Sequence, residues 1–203
     1  MTQTATKLRD RADRKSHRRQ AKKDQIASSA IGALRTLGYA NTTLRDIAAG
    51  SGLSLGMLHY YFEDKTALIT YCVRVYKAQF VADLQARLTA ANGRDEILRD
   101  MSAGLAHAVA EDWETHRLWY DIRTQAMFDE AFQPTVAEIE QALAGLMEKV
   151  ADLLEVETDT MAVYAAIDGL FRYFIQCASR GEMPPTDNMA DAFHDAMNAL
   201  FAG

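Results

Sequence analysis

The sequence predicts an all-α protein of about nine helices, a small three-helix head of helix-turn-helix type followed by a larger helical bundle. Three observations predict it. Apolar residues recur at spacings of three and four in most segments, the pattern of helices with one buried face. Pro occurs only 3 times while Leu, Ala, Met, Glu and Arg are plentiful, a composition that favours helix over strand. The length of 203 residues is long for one domain and short for two ordinary ones, which fits a small head on a larger body.

Residues 1–15 are polar, charged and without apolar periodicity, and are expected to form a disordered basic arm. A helix is expected over 16–37, with Ile26, Ala30, Ile31, Leu34 and Leu37 on its buried stripe and Gly38 closing it. Asn41, Thr42 and Thr43 are N-cap candidates for a short helix over 44–50. Gly52 marks a tight turn. Ser54 can cap a second short helix over 55–61, and Asp64 a long one over 65–90 that carries Leu68, Ile69, Cys72, Val75, Tyr76, Phe80 and Leu84 at helical spacing. Asn92-Gly93 breaks the chain. Five helices are expected beyond it. They cover 94–110, 113–132 (stopping before Pro134), 135–154, 158–180 (ending at Gly181), and 187–201 after Pro184-Pro185.

Charge is divided unevenly. Residues 1–65 hold 12 Lys/Arg and 6 Asp/Glu, a balance of +6, and the rest hold 10 and 22, a balance of −12. A basic head on an acidic body points the head at a polyanion, and repulsion of the body helps orient the approach.

The segment 43–65 reads TLRDIAAGSGLSLGMLHYYFEDK. Leu44, Ile47 and Ala48 give its first short helix an apolar inner face, and Ala48 is small enough for a second helix to cross closely. Gly52 permits the positive φ of a tight turn. Leu53 and Leu58 pin the second helix to the first. Two short helices so joined form a helix-turn-helix, whose second helix enters the major groove.

At this point the sequence resembles the tetracycline-repressor (TetR) family of bacterial regulators. The matching pattern is Ile26-x-x-x-Ala30, Gly38, Thr42-Thr43, Ile47-Ala48, Gly52-Leu53-Ser54, Gly56, Leu58, Tyr60-Tyr61-Phe62, Lys65 and Leu68. The resemblance implies a division into arm (1–15), DNA-binding head (16–64) and ligand-sensing, dimerising body (65–203). It implies a phosphate contact for Thr43 and a base or phosphate contact for Arg45. Leu44 stands where the family usually reads a base. Ser54, Leu55, Gly56 and Met57 would lead the recognition helix. Gly56 would permit close approach, and Leu55 and Met57 can touch thymine methyls. Tyr60 would contact the backbone. His59 stands where the family often has Tyr, and can donate to a phosphate. Lys65 would meet a phosphate at the start of its helix. Arg18 and Arg19 belong to a basic stretch expected to add backbone affinity.

The resemblance further implies a homodimer on an inverted-repeat operator, released when a small molecule fills the body and shifts the fourth helix. The expected function is thus a sequence-specific repressor. A regulator answering a protein partner, an activator, and a non-specific DNA-binding protein remain open alternatives. The helices over 135–154 and 158–180 are the dimer candidates, with Leu143, Leu146, Val150, Tyr164, Phe171 and Phe174 offering apolar surface to interface or core. Trp113, Trp119, Tyr120, Arg123, Met127 and Phe128 can line a cavity or simply pack. Tyr164, Asp168 and Arg172 can add polar anchors, or Asp168 and Arg172 can form a plain i,i+4 ion pair.

Other classes find little support. His17, His59, His107, His116 and His194 lack metal-ligand spacing, and neither a phosphate loop nor a nucleophile motif is present. No cofactor, metal or catalytic activity is expected. Cys72 and Cys177 are expected as reduced core residues. A cytoplasmic protein is expected, since no run reaches the ~18 apolar residues of a membrane span and no secretory signal is visible.

Overall fold

The computed structural model describes residues 2–91 and 93–202, with side chains from Asp13 onward. It contains eight α-helices and one turn of 3-10 helix among the described residues, and no strand. These are α1 (Thr2–Asn41), α2 (Leu44–Ser51), α3 (Leu55–Tyr61), α4 (Lys65–Ala90), α5 (Arg94–Gln125), the 3-10 turn (Glu130–Phe132), α6 (Gln133–Leu154), α7 (Thr160–Ser179) and α8 (Thr186–Leu200).

Two boundaries differ from expectation. The backbone of α1 is helical from Thr2, through the stretch expected to be a disordered arm. That stretch holds neither Gly nor Pro and several good helix formers, among them Ala5, Leu8, Arg9 and Ala12. The segments expected as separate helices over 94–110 and 113–132 are largely one helix, α5, with non-helical angles at Asp112 (φ −131°, ψ 24°). No Gly or Pro stands there to end the helix, so it continues past the irregularity. Asn92, half of the expected break, lies outside the described residues.

The chain divides into two compact units, Met1–Val75 and Tyr76–Gly203. The division falls inside α4, beyond the boundary expected at residue 64. The first turns of α4 explain this. Leu68, Ile69 and Cys72 are fully buried, the Cys72 thiol faces the Ala27 carbonyl of α1 at 3.7 Å, and Tyr71 stacks edge-on against Phe62. The α4 N-terminus is therefore part of the first unit's core.

In the first unit, α1 contributes Ile26, Ala27, Ala30 and Leu34 to the core and ends its regular turns at Gly38, whose φ of 72° suits glycine. In the second unit, α5 packs on α7 and α8, and α6 packs on α7. Leu143, Leu146, Val150, Tyr164, Phe171 and Phe174, which could have been interface, are all buried within the single chain. Both cysteines are free and buried.

Candidate nucleic-acid interface and body cavity

The short helices of the first unit are set by their caps. Thr43 stands in extended backbone before α2. Its hydroxyl oxygen accepts from Asp46 N–H at 3.2 Å, while its own N–H donates to Asp46 Oδ2 at 2.8 Å. This reciprocal pair satisfies two end-of-helix donors. The Thr43 hydroxyl also donates to Asp46 Oδ2 at 2.6 Å. These hydrogen bonds hold the Asp46 carboxyl below its ordinary pKa. Gly52 ends α2 in the left-handed region (φ 65°), and Leu53 N–H returns to Ala48 O at 3.0 Å. Ser54 then caps α3, its side chain accepting from Met57 N–H at 3.2 Å.

This capping chain fixes which way α3 faces. Leu58 is buried beneath it and Phe62 closes its end. Gly56, Met57, His59 and Tyr60 are exposed, with Tyr60 at 66%. Arg45 is exposed on α2, Leu55 is half-buried, and Arg18 and Arg19 are exposed on α1. The Arg19 guanidinium lies 6.0 Å from the Tyr60 ring centroid, so the structure brings these two candidates together.

Two candidates are otherwise engaged. The Thr43 hydroxyl donor is directed to Asp46 rather than outward. Lys65, expected to meet a phosphate, donates from Nζ to the Tyr39 carbonyl at 2.6 Å and sits 4.4 Å from the Tyr39 ring. Partial burial lowers its pKa. Twenty-six residues separate Lys65 from Tyr39, so no local pattern signals the contact.

In the second unit, Asp168 of α7 is a hub. Its Oδ2 accepts from Arg123 at 2.6 Å and its Oδ1 from the Tyr120 hydroxyl at 3.1 Å. Arg123 also pairs with Glu140 at 2.9 Å. Burial alone would lower the Arg123 pKa, but the Asp168 hydrogen bond and charge raise it. Asp168 is therefore paired with Arg123 rather than with Arg172, whose guanidinium lies 5.6 Å from the Tyr120 ring. On the outer side of this hub is an open groove of about 530 Å³ that includes Tyr120, Arg123, Met127, Asp168 and Arg172. Met127 is 77% and Phe128 83% exposed, so neither lines an enclosed cavity as the sequence allowed. Trp119 is buried.

On the inner side is a cavity of about 40 Å³. Tyr120, Tyr164 and Asp168 reach it, among apolar walls that include Phe80, Leu143 and Phe171. So does Lys77 of α4, a residue the sequence did not single out, at 3% exposure. Its Nζ is 3.2 Å from His116 Nδ1 and is ringed by Phe80, Trp119 and Phe171 at 4.9–5.9 Å. Burial pulls the Lys77 pKa down to about 7, with Asp168 opposing and Arg123 assisting. Burial, then the Lys77 charge, holds His116 well below its ordinary pKa, so His116 is neutral. Burial raises the pKa of Tyr120 and Tyr164, leaving both hydroxyls as donors. The one available signal for Lys77 was its place on the stripe Val73, Lys77, Val81, Leu84 and Leu88, whose other members are all buried and apolar.

Residues 26–72 match the family model for bacterial regulatory proteins of the tetR family. Over these residues the chain is similar to the TetR family. The likeness to bacterial regulatory proteins thus falls on the helix-turn-helix head. The match spans the part of α1 from Ile26 onward, α2, α3 and the buried first turns of α4, the same elements that form the capped head. No curated protein matches the chain in sequence. Among solved structures, a TetR transcription regulator from Haloarcula marismortui is similar at a TM-score of 0.73 and 19% identity, covering 89% of this chain and 97% of that one. The fatty acid degradation regulator FadR from Bacillus halodurans is similar at 0.68 and 17%, covering 90% and 95%. The multidrug binding protein EbrR in complex with imidazole is similar at 0.62 and 19%, covering 86% and 93%. At these identities the likeness is one of fold. No helix among the described residues is long and apolar enough to cross a membrane.

Proposed function

We propose that this chain is a cytoplasmic homodimeric repressor of the TetR family, bound to an inverted-repeat operator and released from it by a small molecule held in the body. The observation that carries the reading is the face of α3. Capping and the buried Leu58 leave Gly56, Met57, His59 and Tyr60 outward, with Arg45, Arg18 and Arg19 exposed on the neighbouring helices. Apolar and small groups at the leading end suit base edges, while the flanking cations and Tyr60 suit phosphates. Ser54 retains a hydroxyl proton to donate. Lys65 would reach a phosphate only by leaving Tyr39, and Thr43 only by leaving Asp46.

One head makes few base contacts, so affinity requires two. The outer face of α7 supports pairing. Ala162, Ala165, Ala166 and Gly169 are exposed between the exposed Met161 and Tyr173, and small residues let a second helix approach closely. Fold relatives that regulate fatty acid degradation or bind multiple drugs support a body that holds a ligand. Release would follow if the ligand prefers a body state whose α4 no longer sets the heads at groove spacing.

The test is selection from a random duplex pool with the full-length protein. One enriched inverted repeat, bound at least ~10³-fold tighter than random duplex at physiological salt, is the expected result. Retention without an enriched motif would replace the reading with non-specific binding.

A further inference from the structure

We propose that the inner cavity of the body receives the carboxylate of a small apolar acid, with Lys77 as its cation and the Tyr164 hydroxyl as its second donor. The inference rests on the ligand-holding body argued above and names the class of ligand.

The buried donors outnumber the acceptors. Lys77 has a single hydrogen-bond partner among the described residues, His116 Nδ1, and no carboxylate within ion-pair distance. Asp168 faces the same cavity but both its oxygens are already used, one by Arg123 and one by Tyr120. Two further buried polar atoms have no hydrogen-bond partner among the described residues, the Tyr164 hydroxyl and Trp119 Nε1. Tyr164 lines the cavity, and the Trp119 ring is 5.5 Å from Lys77 Nζ. Unmet buried donors are costly, and a desolvated cation even more so. An anionic acceptor answers both deficits. A cationic ligand would meet the Lys77 charge, and the one carboxylate lining the cavity, Asp168, already accepts from Arg123 and Tyr120. A neutral alcohol would supply an acceptor but leave the charge unmatched.

Size and surroundings narrow the class. A cavity of about 40 Å³ has room for about three waters, comparable with a carboxylate head. Its walls include Phe80, Leu84, Leu105, Leu146 and Phe171, which suit an apolar body once they part. Tyr120 and Asp168 line both this cavity and the outer groove, so they form the partition an entering acid would cross.

The groups facing Lys77 are Tyr76 on its own helix, His116, Tyr120 and Arg123 of α5, and Tyr164 and Asp168 of α7, with Glu140 of α6 behind Arg123. His116 stays neutral and both inner tyrosines stay protonated through pH 6–8. Lys77 is thus the group whose charge changes in that window, and a carboxylate binds its protonated form. Affinity for an acid should fall about tenfold between pH 6 and pH 8.

The experiment is calorimetric titration of the full-length protein with benzoate and octanoate, each beside its neutral alcohol (benzyl alcohol, 1-octanol) and its amine. The expected result is that at least one acid binds tenfold or more tightly than its alcohol and amine. That preference and its pH dependence should vanish in Lys77→Met and weaken several-fold in Tyr164→Phe, with circular dichroism confirming that both variants fold. Should Lys77→Met fail to fold, Tyr164→Phe and the wild-type pH series decide. Alcohol or amine binding as tightly as the acid would overturn the acid class and leave a ligand-holding body standing. Absence of binding by all six compounds would overturn the proposal and count against the ligand-holding body too. Acid binding unchanged in Lys77→Met, or independent of pH, would place the acid elsewhere and overturn it.

Discussion

Replacing Lys77 with methionine should make the ligand-free protein more stable at neutral pH. Methionine nearly matches the lysine stem in length and carries no charge. With its pKa brought from 10.5 to about 7, Lys77 costs on the order of 5 kcal/mol whenever it is protonated in the folded state, at ~1.4 kcal/mol per tenfold change in proton affinity. The substitution strands His116 Nδ1, now 3.2 Å from Nζ, and a stranded buried acceptor costs ~1–3 kcal/mol. The charge term is larger, so a net gain of about 2–4 kcal/mol is expected, within the range for replacing a buried ion by an apolar side chain.

The dependence on pH separates this cause from simple repacking. Unfolded, Lys77 keeps its proton up to about pH 10.5; folded, it releases it near 7. Between those values the unfolded state binds more protons, so this group raises wild-type stability with pH by ~1.4 kcal/mol per pH unit. Lys77→Met lacks that rise. Its advantage should be full at pH 6 and near zero by pH 9, where the roughly 2 kcal/mol still left of the Lys77 cost is offset by the stranded histidine. Urea unfolding at pH 6, 7.5 and 9, at one protomer concentration because association adds to stability, measures the difference directly. A difference that does not change with pH, or a variant less stable at pH 6, would refute a charge-bearing Lys77.

Three further outcomes follow from the geometry. Gly56→Ala adds a Cβ that meets nothing within 4 Å, so thermal stability should hold or rise by ~0.4–1 kcal/mol, while anisotropy titration of the selected operator should show at least tenfold weaker binding; unchanged affinity would mean that face of α3 does not meet DNA. Thr43→Ala removes the acceptor for Asp46 N–H and should lower stability by ~0.5–2 kcal/mol, read as a lower urea midpoint. Asp168→Ala leaves Arg123 and Tyr120 without their shared acceptor and should cost about 1–3 kcal/mol at pH 7, since the pair is only partly buried; it should also remove the charge that opposes the fall in the Lys77 pKa, so that stability climbs over a wider pH range than in wild type.

The head was legible because its instructions are local. Thr43 and Asp46 are three residues apart, as are Ser54 and Met57, and each pair makes its contact within the segment that names it. Gly38 and Gly52 stand where the backbone takes positive φ. The helices of the body were legible from periodicity alone, but their joints were less so. Around Asp112 a change of side-chain character looks like a break, yet the backbone has no glycine or proline to act on it. Nor could the sequence apportion the apolar residues of α6 and α7 between core and interface, because Leu143 and Tyr164 carry the same spacing in either role. The fate of Lys65 shows the same limit. A lysine opening a helix beside a DNA-reading segment suits a phosphate, and only folding brings the Tyr39 carbonyl to it.

Lys77 is the extreme case. A lysine on an apolar stripe ordinarily extends its stem along the surface and keeps its ammonium in water, and Val73, Lys77 and Val81 at four-residue spacing fit that picture. What closes the route to water is tertiary. Trp119 and His116 arrive from α5 and Phe171 from α7, 39 to 94 residues away in the chain. The resulting cost is of the same order as the ~5–15 kcal/mol by which a folded domain exceeds its unfolded chain. A single substitution to methionine would remove most of it while keeping the volume. A group so unfavourable for folding, facing a cavity beside a Tyr164 hydroxyl with no hydrogen-bond partner among the described residues, is accounted for when a bound carboxylate supplies what the empty site lacks. Affinity for that ligand and stability of the ligand-free body are then opposed at one residue, so Lys77→Met should improve the second only by abolishing the first.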